Sequence, residues 1–487
     1  MSSGYKRGTK STSRKCCSCS IVSVRPFRLN SHNDLMKTAK FGGSSLASSE
    51  QIRKVCDIIT ADTARRLVIV SAPGKRTSQD TKVTDLLIEA AEARLAHREG
   101  TAQMERVEER FVEISDGLGL ATADVDPIVD DLRQRLSAPI DDEGLYLDTM
   151  KAAGEANCAR LTAAFLRHQG ADAHYIDPGE AGMILSDEPG NARVLQPSYG
   201  KLRALRDRSG ITIFPGFFGY TEAGRLVTFP RGGSDITGAI LAAAIDAELY
   251  ENFTDVDSVF AANPRLVDTP RAVAEITYRE MRELSYAGFS VFHDEALEPV
   301  VRAGIPVAVK NTNNPDASGT RIVPTRMIGD TPVVGIAATA GFCTIYVSRY
   351  LMNREVGFGR RLLEIFEDEA IPFEHTPSGI DNLSIIVREE WFDHAAEERV
   401  LRRIRHELDA DEVSVERGLA LVMVVGEGMS HTVGLAARAT AAFHKAQVNI
   451  EMMNQGSSEV SMMFGVKDHD VDDAVRSLYA EFFPPIS

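Results

Sequence analysis

Lys37-Thr38-Ala39-Lys40-Phe41-Gly42-Gly43-Ser44-Ser45 is the stretch from which the fold is read. A short apolar run ends on two glycines, and Ser48 with Gln51 then stands at the spacing of a helix-opening capping box. The order is therefore strand, tight loop, helix. Two glycines at a strand end let backbone N–H groups approach an anion, the helix N-terminus adds positive potential, and Lys40 adds a full charge. A plain tight turn is the alternative reading of a lone glycine pair. Neither the Walker pattern G-x-x-x-x-G-K-[ST] nor the dinucleotide pattern G-x-G-x-x-G occurs in the chain.

Outward from this stretch, residues 36–328 alternate short apolar runs with helical segments, which predicts an α/β domain with a largely parallel sheet. Strands are expected at Val68–Ala72, Ala173–Ile176, Ile211–Phe218 and Leu249–Phe253. Helices are expected at Thr84–Arg98, Met150–Gln169 and Asp235–Ala247, the second stopping at Gly170. Gly329-Asp330-Thr331-Pro332 marks a break. Beyond it the texture repeats. Strand Phe342–Val347, helix Phe358–Ala370, strands Pro372–His375 and Leu383–Val387 and helix Ala395–Leu408 form one cycle. Strand Leu419–Val425, helix Thr432–Ala446, strands Val448–Met453 and Val460–Phe464 and helix Val471–Phe482 form the next. Two ferredoxin-like βαββαβ units, 333–410 and 411–487, follow from this pattern, a pair of unrelated α+β elements being the alternative.

The chain has 487 residues with 54 Lys+Arg against 70 Asp+Glu. The first 35 hold seven basic residues and one acid, Asp34, so residues 36–487 carry an excess of 22 negative charges. Nucleic acid is not expected as a partner of such a body. No apolar run approaches the roughly 20 residues of a membrane span, so no membrane partner is expected either. Six cysteines are too few for a disulfide scaffold, which is the usage of a reducing, cytoplasmic compartment. Residues 1–35 lack hydrophobic periodicity and are expected to be a disordered arm or an extension upstream of a true start at Met36, dispensable for activity.

Arg231-Gly232-Gly233-Ser234-Asp235-Ile236-Thr237 repeats the logic of the first loop. A glycine pair brings a guanidinium, a hydroxyl and a carboxylate to the mouth of a helix. Arginine suits a bidentate grip on a carboxylate, while Asp235 is suited to hold Mg²⁺, to orient Lys40, or only to complement the helix dipole. Two cationic glycine loops in one α/β domain point to two anionic ligands, and phosphoryl transfer depends on such positioning and neutralisation. Thr254-Asp255-Val256-Asp257 closes the strand Leu249–Phe253, with the turn Ala262-Asn263-Pro264-Arg265 beyond, at the edge where α/β proteins bind ligands. Glu155 follows Gly154 in a helix of small residues and is either buried for a purpose or a surface charge.

These motifs together resemble aspartate kinase, a member of the amino-acid kinase superfamily, over essentially all of residues 36–487. The family's K-F-G-G-[TS]-S stands at Lys40–Ser45, its G-R-G-G-S-D-x-T at Pro230–Thr237, its T-D-V-D at Thr254–Asp257 and its Q-G-S-S-E at Gln455–Glu459. The resemblance implies a three-layer sandwich with a mainly parallel sheet, followed by two ACT domains whose strands interleave, so that Val333–Ala338 would belong to the second. It implies ATP and Mg²⁺, with Lys40, Gly42, Gly43, Ser44, Thr254, Asp255 and Arg265 along the nucleotide. L-aspartate would meet Arg231 through a carboxylate and Glu155 through its ammonium, with Ser71, Thr84, Phe217 and Ser234 completing the pocket, and Asp235 would organise Lys40 or the metal. The implied reaction makes 4-phospho-L-aspartate, the first step toward lysine, threonine and methionine.

Met352, Gly357, Phe358, Gly359, Ser378 and Asp381 stand where the resemblance places an amino-acid effector, lysine first and threonine as the alternative, and the ACT units imply a homo-oligomer. The sequence also departs from the family. Pro230 replaces a glycine, Asn263 an aspartate, and in the segment Ala287–Asp294 Ser290 replaces a lysine and Asp294 a proline. A kinase acting on glutamate or acetylglutamate, or a sensor without catalysis, are the competing readings. An appended dehydrogenase is not expected.

Overall fold

The computed structural model describes residues 35–289, 294–329, 331–456 and 460–484. The extension before Leu35, Ser290, and Ser457–Glu459 of the late motif lie outside the described residues. Strands β1 (Lys37–Phe41), β2 (Arg65–Val70), β3 (Ala173–Tyr175) and β4 (Ile211–Pro215) are followed by a separate hairpin of β5 (Phe218–Tyr220) and β6 (Leu226–Thr228). Next come β7 (Leu249–Thr254), β8 (Glu275–Thr277), β9 (Val307–Asn311) and β10 (Thr320–Val323). The eight-stranded sheet runs β3-β4-β2-β1-β7-β9-β10-β8. Every pair is parallel except β9 with β10.

Such a sheet is buried on both faces, because its crossover helices cover both. Ala39, Phe41, Val68, Val70, Ile213 and Phe253 pack beneath helices Ser49–Thr60, Val83–Leu95 and Glu143–His168. On the opposite face Leu67, Ile69, Phe214 and Tyr250 meet helix Gly233–Ala244. The result is a three-layer α/β sandwich. Phe41 and Phe253, level on neighbouring strands, stack with ring centroids 4.7 Å apart. Truncating either to alanine would cost about 3–5 kcal/mol.

The structure departs from sequence expectation at several elements; of the expected strand Val448–Met453 only the last two residues lie in a strand, Met452–Asn454. The run Ile211–Phe218 is split between two sheets, because Phe217 adopts φ = +78° and turns the chain. Pro372–His375 is not a strand: Pro372 lacks a ladder N–H, and only one bridge, His375 to Ile386, forms. Helices Thr101–Leu118 and Thr122–Ser137 were not anticipated; both are amphipathic, with Val107, Phe111, Ile114, Ile128 and Leu132 buried in the shared core.

The C-terminal part is one antiparallel sheet in the order β12-β11-β13-β15-β14, from β11 (Gly335–Ser348), β12 (Asn382–Arg388), β13 (Glu412–Val425), β14 (Met452–Asn454) and β15 (Ser461–Lys467). β11 and β13 each cross both repeats. Residues 335–340 of β11 pair with 420–425 of β13, whereas 344–348 pair with 412–416. Gly341 and Gly418, at φ of +90° and +71°, take up the irregularity between the two zones. Helices Phe358–Asp368 and His394–Glu407 cover the first repeat over a core of its own. Helices Leu435–Ala446 and Val471–Phe482 cover the second, whose core is continuous with that of the parallel sheet.

Helix Tyr278–Tyr286 joins the two parts. A full capping box, Thr277 with Glu280, opens it. Glu280, Glu283 and Tyr286 recur every three residues and share one face. Glu280 is fully buried, takes a forked grip from Arg326 at 2.6 and 2.8 Å and accepts the Glu427 N–H at 2.8 Å. Burial opposes its ionisation, yet Arg326 and the Thr277 and Glu427 N–H groups hold its carboxyl below the usual range. Ser461 donates to Glu283 at 2.8 Å, and the Tyr286 hydroxyl donates to Glu374.

Candidate active site

Register brings the chemistry together. Phe41 is level with Val70 and Phe253, and Val70 with Pro215, so β1, β2, β4 and β7 end together at one edge. The residues that follow, Gly42–Ser45, Ser71–Gly74, Gly216–Phe217 and Thr254–Asp255, emerge side by side. Parallel sheets bind ligands at this edge. The loops lie closer than side chains permit: a Cβ on Gly43 would stand 2.9 Å from the Ala72 carbonyl oxygen, and one on Gly74 2.6 Å from Gly43. Gly74 N–H donates to the Gly43 carbonyl at 2.8 Å.

Lys40 is buried and level with Asn252 on β7. Its Nζ lies 2.6 Å from Asp235 Oδ1 in the first turn of helix Gly233–Ala244. Asn252 Nδ2 donates to that same oxygen at 2.7 Å. Gly42 lies beside the ammonium, the position of a Cβ there falling 3.6 Å from Nζ. The start of this helix is pressed against the β4 loop: a Cβ on Gly216 would meet Ser234 Oγ at 2.6 Å, and Phe217 N–H donates to Thr237 Oγ1 at 3.0 Å. Phe217 thus holds a left-handed backbone beside Ser234, conformational strain of the kind that gathers at working sites.

Glu155 is no surface charge. It sits in helix Glu143–His168 and is 5% exposed, and Oε2 has no hydrogen-bond partner among the described residues. Burial pushes its carboxyl up to about 8, with a weaker opposing pull from the Ala72 backbone. Preceding it, Gly154 allows the helix to touch this loop, where a Cβ would stand 2.7 Å from that of Ala72. Ser71 is half-buried at the β2 end, and Thr84, also half-buried, lies in the first turn of helix Val83–Leu95.

Arg231 is exposed and makes no hydrogen bond or ion pair with any described residue. Thr254 Oγ1 donates to Asp255 at 3.1 Å, and Ser44 is exposed at the cradle. Arg265 is exposed in the turn after Asn263, whose Oδ1 accepts its N–H at 3.0 Å; among the described residues no hydrogen bond or ion pair ties it to the cradle. Only half of the expected box at Ser48 forms, because the Gln51 side chain turns to Asn313. The effector candidates lie in the first repeat of the C-terminal sheet. Met352 and Phe358 are buried there, leaving backbone rather than side chain for a ligand, and Gly357 caps helix Phe358–Asp368, which includes Gly359. Ser378 bridges to Leu383, and the Asp381 carboxylate accepts the Leu351 N–H at 2.9 Å.

Two contributors escaped the sequence reading. Asn252 is one. The other is Arg110, on helix Thr101–Leu118, which reaches Asp80 at 2.7 and 2.8 Å and the Gly74 carbonyl at 3.1 Å and so braces the Ser71–Gly74 loop. Neither carries a local signal, since the partners stand 17 or more residues away.

The model of the amino acid kinase family matches residues 38–311, and an ACT domain model matches 422–482. Aspartokinase 3 of Bacillus subtilis (strain 168) is 56% identical over 448 residues, covering 92% of this chain and 99% of that protein. The crystal structure of Clostridium acetobutylicum aspartate kinase is 35% identical with a TM-score of 0.80, covering 92% of this chain and 100% of that one. Lysine-sensitive aspartokinase 3 of Escherichia coli (strain K12) is 26% identical over 91% of this chain and 98% of its own length. Because the similarity extends over both the parallel sheet and the C-terminal sheet and spans almost all of each relative, the chain belongs to the amino acid kinase family, in its aspartokinase branch.

Proposed function

We infer that the protein transfers the γ-phosphoryl group of ATP to the side-chain carboxylate of L-aspartate, giving 4-phospho-L-aspartate and ADP. The observation that carries the substrate class is Glu155, a buried carboxylate with one unpartnered oxygen at the loop edge. An α-ammonium group would satisfy it, whereas N-acetylglutamate has none to offer. Arg231, free of partners among the described residues, supplies a guanidinium for a substrate carboxylate. The attacking carboxylate is already ionised at neutral pH, so no general base is required. Lys40, held by Asp235 and facing the glycine loop, neutralises charge on the transferring group. Gly42, Gly43 and Ser44 cradle phosphate through backbone N–H groups, with Thr254, Asp255 and Arg265 farther along the nucleotide.

Asp235 Oδ2 has no hydrogen bond among the described residues, so the donor set suits Mg²⁺ held largely by phosphates and by one carboxylate. When bound, that ion would screen phosphate charge. A coupled ADP assay with aspartate, glutamate and N-acetylglutamate tests the assignment, turnover confined to aspartate being the expected result. In the same assay Arg231→Ala should raise the aspartate KM roughly 30-fold while leaving the ATP KM within about threefold.

The C-terminal sheet is read as an amino-acid sensor and as the site of assembly into a homo-oligomer. Its face opposite the helices of the first repeat bears a cavity of about 480 Å³ lined by Tyr346, Ser378, Gly379, Asn382 and Glu416. Lysine is the expected effector, a reading supported by the lysine-sensitive relative, with threonine as the alternative. Millimolar lysine should lower aspartate-dependent turnover, and titration with lysine, threonine and both, with no change in rate and no calorimetric binding, would refute it.

A further inference from the structure

Asn252 occupies the middle of β7, 3% exposed, between Glu251 and Phe253. Parallel register sets it level with Lys40, so the two side chains leave the sheet on the same face, toward helix Gly233–Ala244. There they converge on one atom: Asp235 Oδ1 lies 2.6 Å from Lys40 Nζ and 2.7 Å from Asn252 Nδ2. The orientation of the amide is dictated by this contact, because only its NH₂ end can donate to a carboxylate. The other end, Oδ1, is buried without a hydrogen-bond partner among the described residues.

A half-satisfied amide in the interior weakens the fold. A leucine of similar size would remove the orphaned oxygen, though with it the donor to Asp235. What Asn252 contributes must therefore lie in its satisfied half. Asp235 stands at the helix mouth, just after Gly232 at φ = +80°, with its side chain 16% exposed. Without a second anchor its carboxylate is free to turn about its side-chain torsions and carry Lys40 with it. With Asn252 in place, one oxygen is fixed from the strand side and the ammonium is fixed with it.

On the kinase reading above, we propose that Asn252 is a positioning residue for phosphoryl transfer: it locks the Asp235 carboxylate so that Lys40 presents its charge at one place to the transferring phosphoryl group. Misplacement of a reacting group by about 1 Å can lower turnover on the order of 10²-fold.

The test compares the full-length wild type with Asn252→Leu and Asn252→Ser in the aspartate-dependent ADP assay, together with thermal melting. For Asn252→Leu, kcat should fall roughly 10- to 100-fold with the aspartate KM within about threefold. Its Tm should stay within about 3 °C of wild type, because loss of the donor to the Asp235 carboxylate opposes removal of the orphaned acceptor. A fall in kcat with the aspartate KM and the fold retained is a pattern that a merely structural role would not produce. A kcat within twofold of wild type, or a lowered Tm with both KM values rising as kcat falls, would overturn the proposal. Should Asn252→Leu yield no folded protein, Asn252→Ser decides by the same kcat and KM criteria. A wild type without aspartate-dependent turnover would instead sink the kinase reading itself, and the positioning role with it.

Discussion

Lys40→Ala is expected to lower kcat by roughly 10²- to 10³-fold, the loss seen when one preorganised charge-stabilising donor is removed from an active site. The ammonium is buried, 2.6 Å from Asp235, and faces the glycine loop across Gly42. Its charge matters most when the γ-phosphoryl group is between donor and acceptor, so the deficit belongs in kcat more than in the aspartate KM. The substitution also strands the Asp235 carboxylate with only Asn252 for company. Because that carboxylate opens partly to solvent, the destabilisation should stay near 1–3 kcal/mol, below the cost of splitting a fully buried pair. Lys40→Arg keeps the charge but not the point geometry, and should recover only part of the rate. Single-turnover phosphoryl transfer separates the chemical step from binding. A chemical rate within threefold of wild type would remove Lys40 from the mechanism.

Glu155→Gln should raise the aspartate KM by about 30- to 100-fold, since it withdraws the charge that pairs with the ammonium. The effect has a pH signature. Burial pushes Glu155 up to about 8, so the free enzyme holds this proton at neutral pH. An arriving ammonium requires the ionised form, and aspartate binding must therefore release a proton. The apparent KM should fall as pH rises from about 6 to 8 and level off above it, up to tenfold per unit. The Glu155→Gln variant should show a high, flat profile.

Stability runs the other way. The unfolded chain releases this proton near the ordinary carboxylate value of 4.5, whereas the folded protein keeps it until about 8. Folding stability due to Glu155 is then complete below 4.5 and is lost as pH climbs through 8. The variant lacks that slope, so its melting temperature should overtake that of the wild type toward alkaline pH. A pH-independent aspartate KM in the wild type, or melting curves that stay parallel, would refute a proton-holding Glu155.

The two predictions differ in how far the sequence exposed them. Lys40 was legible because its loop is local: strand, glycine pair and helix start lie within a dozen residues. Glu155 was half legible. The alanines and Gly154 around it hinted at close packing, but only the fold shows that Ala72 comes against that face. Asn252 and Arg110 were opaque, since each acts on a partner supplied by another element. The helices Thr101–Leu118 and Thr122–Ser137 were missed because their charged residues mask a stripe that only tertiary contact reveals. The break at Phe217 was invisible for a different reason: a positive φ at a bulky residue is imposed by its surroundings, here Thr237 and Phe229, against its own preference.

The two long strands of the C-terminal sheet carry a consequence for engineering. β11 and β13 each serve both repeats, so neither repeat exists as a separable module, although the sequence reads as a tandem pair. A chain ending at residue 410 would leave Gly335–Ala340 without its partner strand, and one lacking β11 would strip β13 of its neighbour across both repeats. Removing or transplanting either repeat alone would break this sheet, and a graft onto another enzyme must be cut ahead of Gly335. The repeat unit of the text is thus not the unit of transplantation.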